Sequence, residues 1–228
     1  MDSDLLQRLP PELREQAQDL EERRLNRALD LLDLRIGDLI VVIEAVRRRH
    51  NSSAILRSTE AFGLHEAHLV ANQFRPAPGA SRGAERWLDL HMYAQTDDCL
   101  DALEARGFEL WVADFTDDAV PPSELPSDGK VALLFGSEVT GVSPAARARA
   151  KGTVFIPTVG VTQSLNVSAA AAIIIGEAAR ARHARQSPVG LSVEQRERFL
   201  RRFVQKEHGR ITGGYRLYEL EPGEEGLS

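Results

Sequence analysis

The five residues Leu39-Ile-Val-Val-Ile43 form an unbroken, mostly β-branched apolar run. Successive side chains of a strand point to opposite faces, so such a run must be covered on both. That is the position of an interior strand of a parallel sheet, and parallel neighbours must be joined by crossovers, usually helical. The chain supplies them. Strand-like runs recur at Ala67–Ala71, Trp87–His91, Phe108–Ala113, Val131–Phe135 and Thr153–Ile156. Between and after them, helical patterns cover Asn51–Phe62, Asp97–Arg106, a short segment opened by Ser143-Pro144, and Asn166–Arg185. Asn51 or Ser52 is expected to cap the first of these helices. The expectation is an α/β domain over residues 36–186, a parallel sheet with helices on both faces. Residues 1–35 read as an amphipathic helical arm broken early by Pro10-Pro11, and 187–228 as a basic helix followed by an acidic tail.

Charge is unevenly distributed. The net charge of −6 argues weakly against a phosphate-rich partner. Yet Arg47-Arg48-Arg49-His50 is a basic patch, and residues 196–210 hold six Lys or Arg against two Glu. The last ten residues hold four Glu and pull the sum down, so the acidic total decides little. Cys99 is the single cysteine, which excludes an internal disulfide and any cysteine zinc motif. No apolar leader core or membrane-length run is present. The expectation is a cytoplasmic protein without a metal or membrane partner.

Several familiar sites are excluded. G-x-G-x-x-G, G-x-x-x-x-G-K-[ST] and G-x-S-x-G are all missing, so a Rossmann dinucleotide turn, a P-loop and a nucleophile elbow are not expected. Three segments stand out instead, each just after a strand, where ligands of parallel sheets sit. In 51-NSSAILR-57, Asn51 and Arg57 are ligand candidates; equally, Asn51 is a cap and Arg57 a solvated charge. In 135-FGSEVTGVS-143, Gly136 and Gly141 let the backbone turn and approach a ligand, with Glu138 between them; an ordinary loop reads the same way. In 156-IPTVGVTQSLNVSAAAAIII-175, the polar group Gln163–Ser168 exceeds what one helix cap requires. Ser164 or Asn166 can cap, and the helix N-terminus points free N–H groups back into the loop.

Together these segments resemble the SpoU/TrmH family of the SPOUT superfamily, ribose 2′-O-methyltransferases that use S-adenosylmethionine. The family patterns N-x-x-A-I-x-R, F-G-x-E-x-x-G-[LV]-S and I-P-M-x-x-x-x-x-S-L-N-V-S-x-A find counterparts, in order, in Asn51–Arg57, Phe135–Ser143 and Ile156–Ser168. Thr158 stands where the family usually has Met. Ala61–His68 and Arg86-Trp87 further resemble the branch that methylates guanosine 18 of tRNA; ribosomal RNA is the alternative substrate, and a non-catalytic RNA-binding protein the alternative class. The resemblance implies a deep C-terminal trefoil knot, and a homodimer in which the helix Val167–Ile175 packs on its copy through the small residues Ala169–Ala172. It implies a catalytic group of Arg57, Asn51, Glu138, Ser164 and Asn166. S-adenosylmethionine would be held at Ala113, Gly136, Gly141, Ile156, Ser164 and Leu165. tRNA would be held with help from the basic residues Arg47, Arg49, Arg198, Arg201 and Arg202. Arg57 would either accept the ribose proton after perturbation by neighbours, or orient the 2′-hydroxyl and a phosphate while the proton leaves elsewhere.

Overall fold

A computed structural model describes residues 3–46, 48–71, 73–161, 164–185 and 189–211. The chain runs α1 (Ser3–Gln7), α2 (Pro11–Gln18), α3 (Glu22–Asp33), β1 (Leu39–Glu44), α4 (Arg49–Ala61), β2 (Glu66–Val70), α5 (Pro78–Ser81), β3 (Asp89–Tyr93), α6 (Thr96–Ala105), β4 (Glu109–Ala113), β5 (Val131–Phe135), α7 (Pro144–Arg149), β6 (Gly152–Val154), α8 (Val167–His183) and α9 (Val193–Ile211). All strand pairings are parallel, in the order β3-β2-β1-β5-β4-β6. The order turns back between β1 and β5, which makes the C-terminal ends of these two strands the switch point where an open parallel sheet leaves a crevice.

The apolar run of β1 divides its side chains between two cores. Leu39, Val41 and Ile43 join Val131, Leu133 and Phe135 of β5 against Ile55 and Leu56 of α4 and Ala171, Ile174, Ile175 and Ala178 of α8. Ile40 and Val42 join Ala132 and Leu134 against Leu100 and Leu103 of α6 and Ala146 of α7. The helices therefore cover both faces, as the unbroken run requires. α8 is fixed at its far end by Asp38, which accepts from Arg182 Nε at 3.2 Å and Arg185 Nη1 at 2.6 Å. Arg182 is 1% exposed, and burial lowers its pKa despite the Asp38 charge. Asp38 precedes β1, so α8 runs antiparallel to that strand and brings its N-terminus to the crevice.

Several boundaries differ from the sequence reading. The segment before the third strand contains α5, and a 3-10 turn spans Ala84–Trp87. β3 consequently begins at Asp89, not Trp87. β6 ends at Val154, leaving Ile156 beyond the strand. The N-terminal arm breaks before Pro11, as Pro10-Pro11 require, and a second time between Gln18 and Glu22.

The chain forms two compact units, residues 31–192 and residues 1–30 with 193–228. Within the second, α2 and α1 pack on α9. Leu5, Leu9, Leu13 and Ala17 are buried there, as are Phe199, Leu200 and Val204. Arg24 pairs with Glu207 at 2.6 Å. The acidic tail lies outside the described residues.

Candidate active site

Asn51 or Ser52 was expected to cap α4. The helix instead begins two residues earlier, after Arg48, whose side chain makes no capping bond. Asn51 is thereby inside the first turn, 8% exposed, and its amide is committed to tertiary bonds. Its Nδ2 donates to Glu138 Oε1 at 2.5 Å, and its Oδ1 accepts from Asn166 Nδ2 at 3.3 Å. Asn166 Oδ1 accepts from the Ser168 amide at 2.9 Å and from Ser168 Oγ at 2.6 Å. One chain of hydrogen bonds thus joins all three sequence segments across the switch point. Asn166, not Ser164, caps α8. Glu138, Ser164, Leu165 and Asn166 are all exposed, so the network forms the crevice wall rather than part of the core.

Gly136 and Gly141 earn their place through the backbone. Ser137 and Gly141 exchange N–H···O bonds at 3.0 and 2.9 Å, closing a tight loop around Glu138. Gly141 has φ +68°, and a Cβ on Gly136 would lie 2.5 Å from the Gly141 carbonyl oxygen. Both glycines are required by the loop itself. Ser137 Oγ accepts from Val139 N at 3.2 Å and fixes the turn that presents Glu138.

Glu44, which sequence reasoning missed, holds this loop from below. It is 3% exposed at the end of β1. It accepts from the Ser143 amide at 2.9 Å and from Thr96 Oγ1 at 2.6 Å. A carboxylate closing an otherwise apolar run was the available signal.

Arg57 stands apart from the network. It lies six residues beyond Asn51 on α4, about 9 Å along the axis. It is exposed, and it makes no hydrogen bond or ion pair among the described residues. Of the basic residues singled out, Arg49 is exposed and Arg198 lies exposed on α9. Arg201 is engaged by Glu197 at 2.7 Å, and Arg202 is half-buried. Arg47 and Gln163 lie outside the described residues. Ala113 pairs in register with Phe135 and Val154, so Ala113, Gly136 and Ile156 lie along one rim of the sheet. Val159, Val161 and Leu165 are exposed apolar side chains on the segments that follow this rim. Backbone groups flanked by exposed apolar side chains suit a ligand that is part aromatic and part polar, as an adenosyl group is.

A second polar cluster, unanticipated from the sequence, lies on the other side of β2. Glu66 is bound by Arg106 through both oxygens, one of them at 2.9 Å. It also meets His68 Nε2 at 2.7 Å and His91 Nε2 at 3.4 Å. Burial opposes its ionisation, but hydrogen bonds from Arg106 and His68 and their charges outweigh it, holding the carboxyl well below the usual range. Burial, then the neighbouring His68, lowers the pKa of His91. The His68 and His91 rings stack with centroids 4.7 Å apart. Glu66, His68 and His91 have the donor types of a metal site, but a guanidinium already contacts both carboxylate oxygens. Cys99 nearby is fully buried and its thiol is pushed up to about 12, which makes it an inert core residue.

Comparison with known proteins gives a consistent set of relatives. Residues 38–176 match the SpoU rRNA Methylase family. A tRNA (guanosine(18)-2′-O)-methyltransferase of Thermus thermophilus is 39% identical over 167 residues, covering 71% of this chain and 84% of that protein. The crystal structure of the Aquifex aeolicus TrmH/SpoU tRNA modifying enzyme superposes with a TM-score of 0.73 at 30% identity, covering 82% of this chain and 97% of that one. The SpoU methyltransferase AviRb from Streptomyces viridochromogenes, solved in complex with AdoMet, superposes with a TM-score of 0.60 at 28% identity, covering 69% of this chain and 65% of that one.

Proposed function

The chain belongs to the SpoU methylase family, and from that premise we propose that it is an S-adenosylmethionine-dependent methyltransferase acting on the ribose 2′-oxygen of guanosine 18 in tRNA. The observation that carries the site assignment is the hydrogen-bonded chain Glu138–Asn51–Asn166–Ser168, which gathers the three family segments at the switch point. The tRNA substrate rests on the Thermus and Aquifex relatives.

Each residue has a role that its surroundings support. S-adenosylmethionine, when bound, supplies an activated methyl group on a sulfonium centre. Ala113, Gly136, Gly141, Ile156, Ser164 and Leu165 would hold it along the rim. The protein must then place the 2′-oxygen in line, which contributes several kcal/mol of barrier reduction. Asn51 is held between Glu138 and Asn166, so its amide is a fixed fence for the ribose. Arg57 has a guanidinium without a partner among the described residues. Its five donors suit a phosphate and the 2′-hydroxyl together, which favours orientation over proton acceptance.

The catalytic domain proposed is 36–186, with residues 1–35 and 187–228 as accessory arms and Arg47, Arg49, Arg198, Arg201 and Arg202 as the candidates for holding tRNA. A homodimer is part of the same reading. One face of α8 is committed to its own sheet through Ala171, Ile174 and Ile175, while Ala169 and Ile173 on the other face are exposed. That face, with Val159, Val161 and Leu165, is apolar surface for a second copy. A deep C-terminal trefoil knot completes the reading.

The test is methyl transfer from labelled S-adenosylmethionine to an unmodified tRNA transcript, followed by nucleoside analysis. The expected product is 2′-O-methylguanosine at position 18. Methylated ribose on an rRNA fragment but not on tRNA would move the substrate to ribosomal RNA. Cofactor binding without transfer to either would contradict the enzyme reading.

A further inference from the structure

We infer that the cavity beside the first turn of α4 is a guanine-selective nucleobase pocket, read by Arg75 and stacked by Phe74. This inference rests on the methyltransferase reading above and adds the group that decides which base is accepted.

The cavity measures about 220 Å³ and opens at the C-terminal ends of β1 and β2. Its floor is apolar, built by Ile43, Val46 and Leu69, with Phe74 on its wall and Arg49 and Arg75 also lining it. It exists because of an unusual turn. Ala45, directly after β1, has φ +51°, a conformation that a residue with a Cβ adopts at a cost. The turn carries the chain from the end of β1 toward α4 and leaves a gap over Ile43 and Leu69. Strain of this kind is retained where the surrounding structure or a ligand needs the geometry.

The lining has a specific chemical meaning. Arg49 and Arg75 are exposed, and neither has an ion pair or hydrogen bond among the described residues. Nearby carboxylates elsewhere in the fold are taken, as Glu44 and Glu66 illustrate. An apolar slot with an aromatic wall and an unpaired guanidinium takes a flat, π-faced ligand with two adjacent acceptors. Guanine presents O6 and N7 as that acceptor pair and binds an Arg fork at both; adenine puts an N6 donor in place of O6 and repels it. Arg75 follows Phe74 and reads the base edge beside the stacked ring. Arg49 opens α4, where helix amides also attract a phosphate, and takes the nucleotide's phosphate. Arg49 and Ser52 flank Asn51 in sequence and line the cavity, while Asn51 turns toward Glu138. A base in the pocket thus leaves its ribose beside the Asn51 network.

The experiment uses the full-length protein and three tRNA transcripts that carry guanosine, inosine or 7-deazaguanosine at position 18. Inosine keeps O6 and N7; 7-deazaguanosine lacks N7. For the wild type, kcat/KM on 7-deazaguanosine is expected to fall about tenfold below guanosine, with inosine nearly equal to guanosine. Arg75→Ala is expected to lose about tenfold on guanosine and to stop distinguishing the two substrates. Phe74→Ala is expected to raise KM on every transcript and keep the ratio. Calorimetric titration with S-adenosylmethionine is expected to give the same Kd for Arg75→Ala and wild type, which also reports an intact fold. Equal wild-type rates on guanosine and 7-deazaguanosine overturn the inference while leaving the methyltransferase reading intact. Discrimination retained in Arg75→Ala, or a parallel loss of S-adenosylmethionine affinity, overturns it as well. No methylation of the guanosine transcript by the wild type overturns the parent reading and the pocket with it.

Discussion

Two polar networks in this molecule use similar side chains for opposite ends. The network at the crevice, Asn51 with Glu138 and Asn166, is half-exposed and joined by amides, and the same helix carries the exposed cations Arg49 and Arg57. In the network under β2, Glu66 and His68 are buried, while His91 and Arg106 reach the surface. The Glu66 carboxylate accepts from Arg106, hydrogen-bonds His68 and lies 3.4 Å from His91 Nε2. A carboxylate whose two oxygens are already engaged stabilises its own surroundings and has little capacity left for a ligand. An open network with unused donors retains that capacity. The difference supports placing the proposed chemistry at the crevice, whereas titratable residues alone would have pointed to the Glu66 cluster.

The comparison can be broken in order of expected effect. Arg57→Ala should lower methyl transfer by about 10²–10⁴-fold, the range for losing a positioned acid–base or orienting group. Its thermal midpoint should hardly move, because an exposed side chain with no partner among the described residues contributes within ~0.5 kcal/mol. Glu66→Gln should do the reverse. Chemical denaturation should show a loss of about 1–3 kcal/mol at neutral pH from leaving Arg106 and His68 poorly paired, with turnover unchanged at temperatures where the variant is folded. The pH dependence has a definite sign. A carboxyl held below its ordinary value of 4.5 contributes stability that is fully present above that pH. The gap between wild type and Glu66→Gln should therefore stay constant from pH 7 down to about 5 and shrink as pH falls further. Asn166→Ala is the mildest. It removes the cap of α8 and the link to Asn51, costing about 1 kcal/mol in a denaturant titration and a modest fall in kcat.

Much of this was legible in the chain. The run Leu39–Ile43 demanded cover on both faces, and the two cores supply it. The Ser143-Pro144 start of α7 followed from local chemistry, with Ser143 Oγ accepting from Ala146 N at 3.1 Å. The three segments of the crevice were each visible, since glycines and polar loops after strands are local signals. What was illegible depended on tertiary partners. Asn51 reads as a cap until Glu138 and Asn166 arrive from 87 and 115 residues away. Glu66, His68 and His91 meet only because β2 and β3 pair in register, His68 opposite His91. Arg106 joins them from the end of α6. Arg57 was a candidate from its spacing to Asn51, and its separation from the Asn51 network follows from helix geometry that the spacing of six obscures.

The most direct test of the division of labour is single-turnover methyl transfer to a tRNA transcript by Arg57→Ala and Glu66→Gln side by side, below both melting temperatures. The expected result is a rate at least a hundredfold below wild type for Arg57→Ala and a wild-type rate for Glu66→Gln. A wild-type rate for Arg57→Ala, or a collapse of the rate for folded Glu66→Gln, would contradict the assignment of chemistry to the crevice.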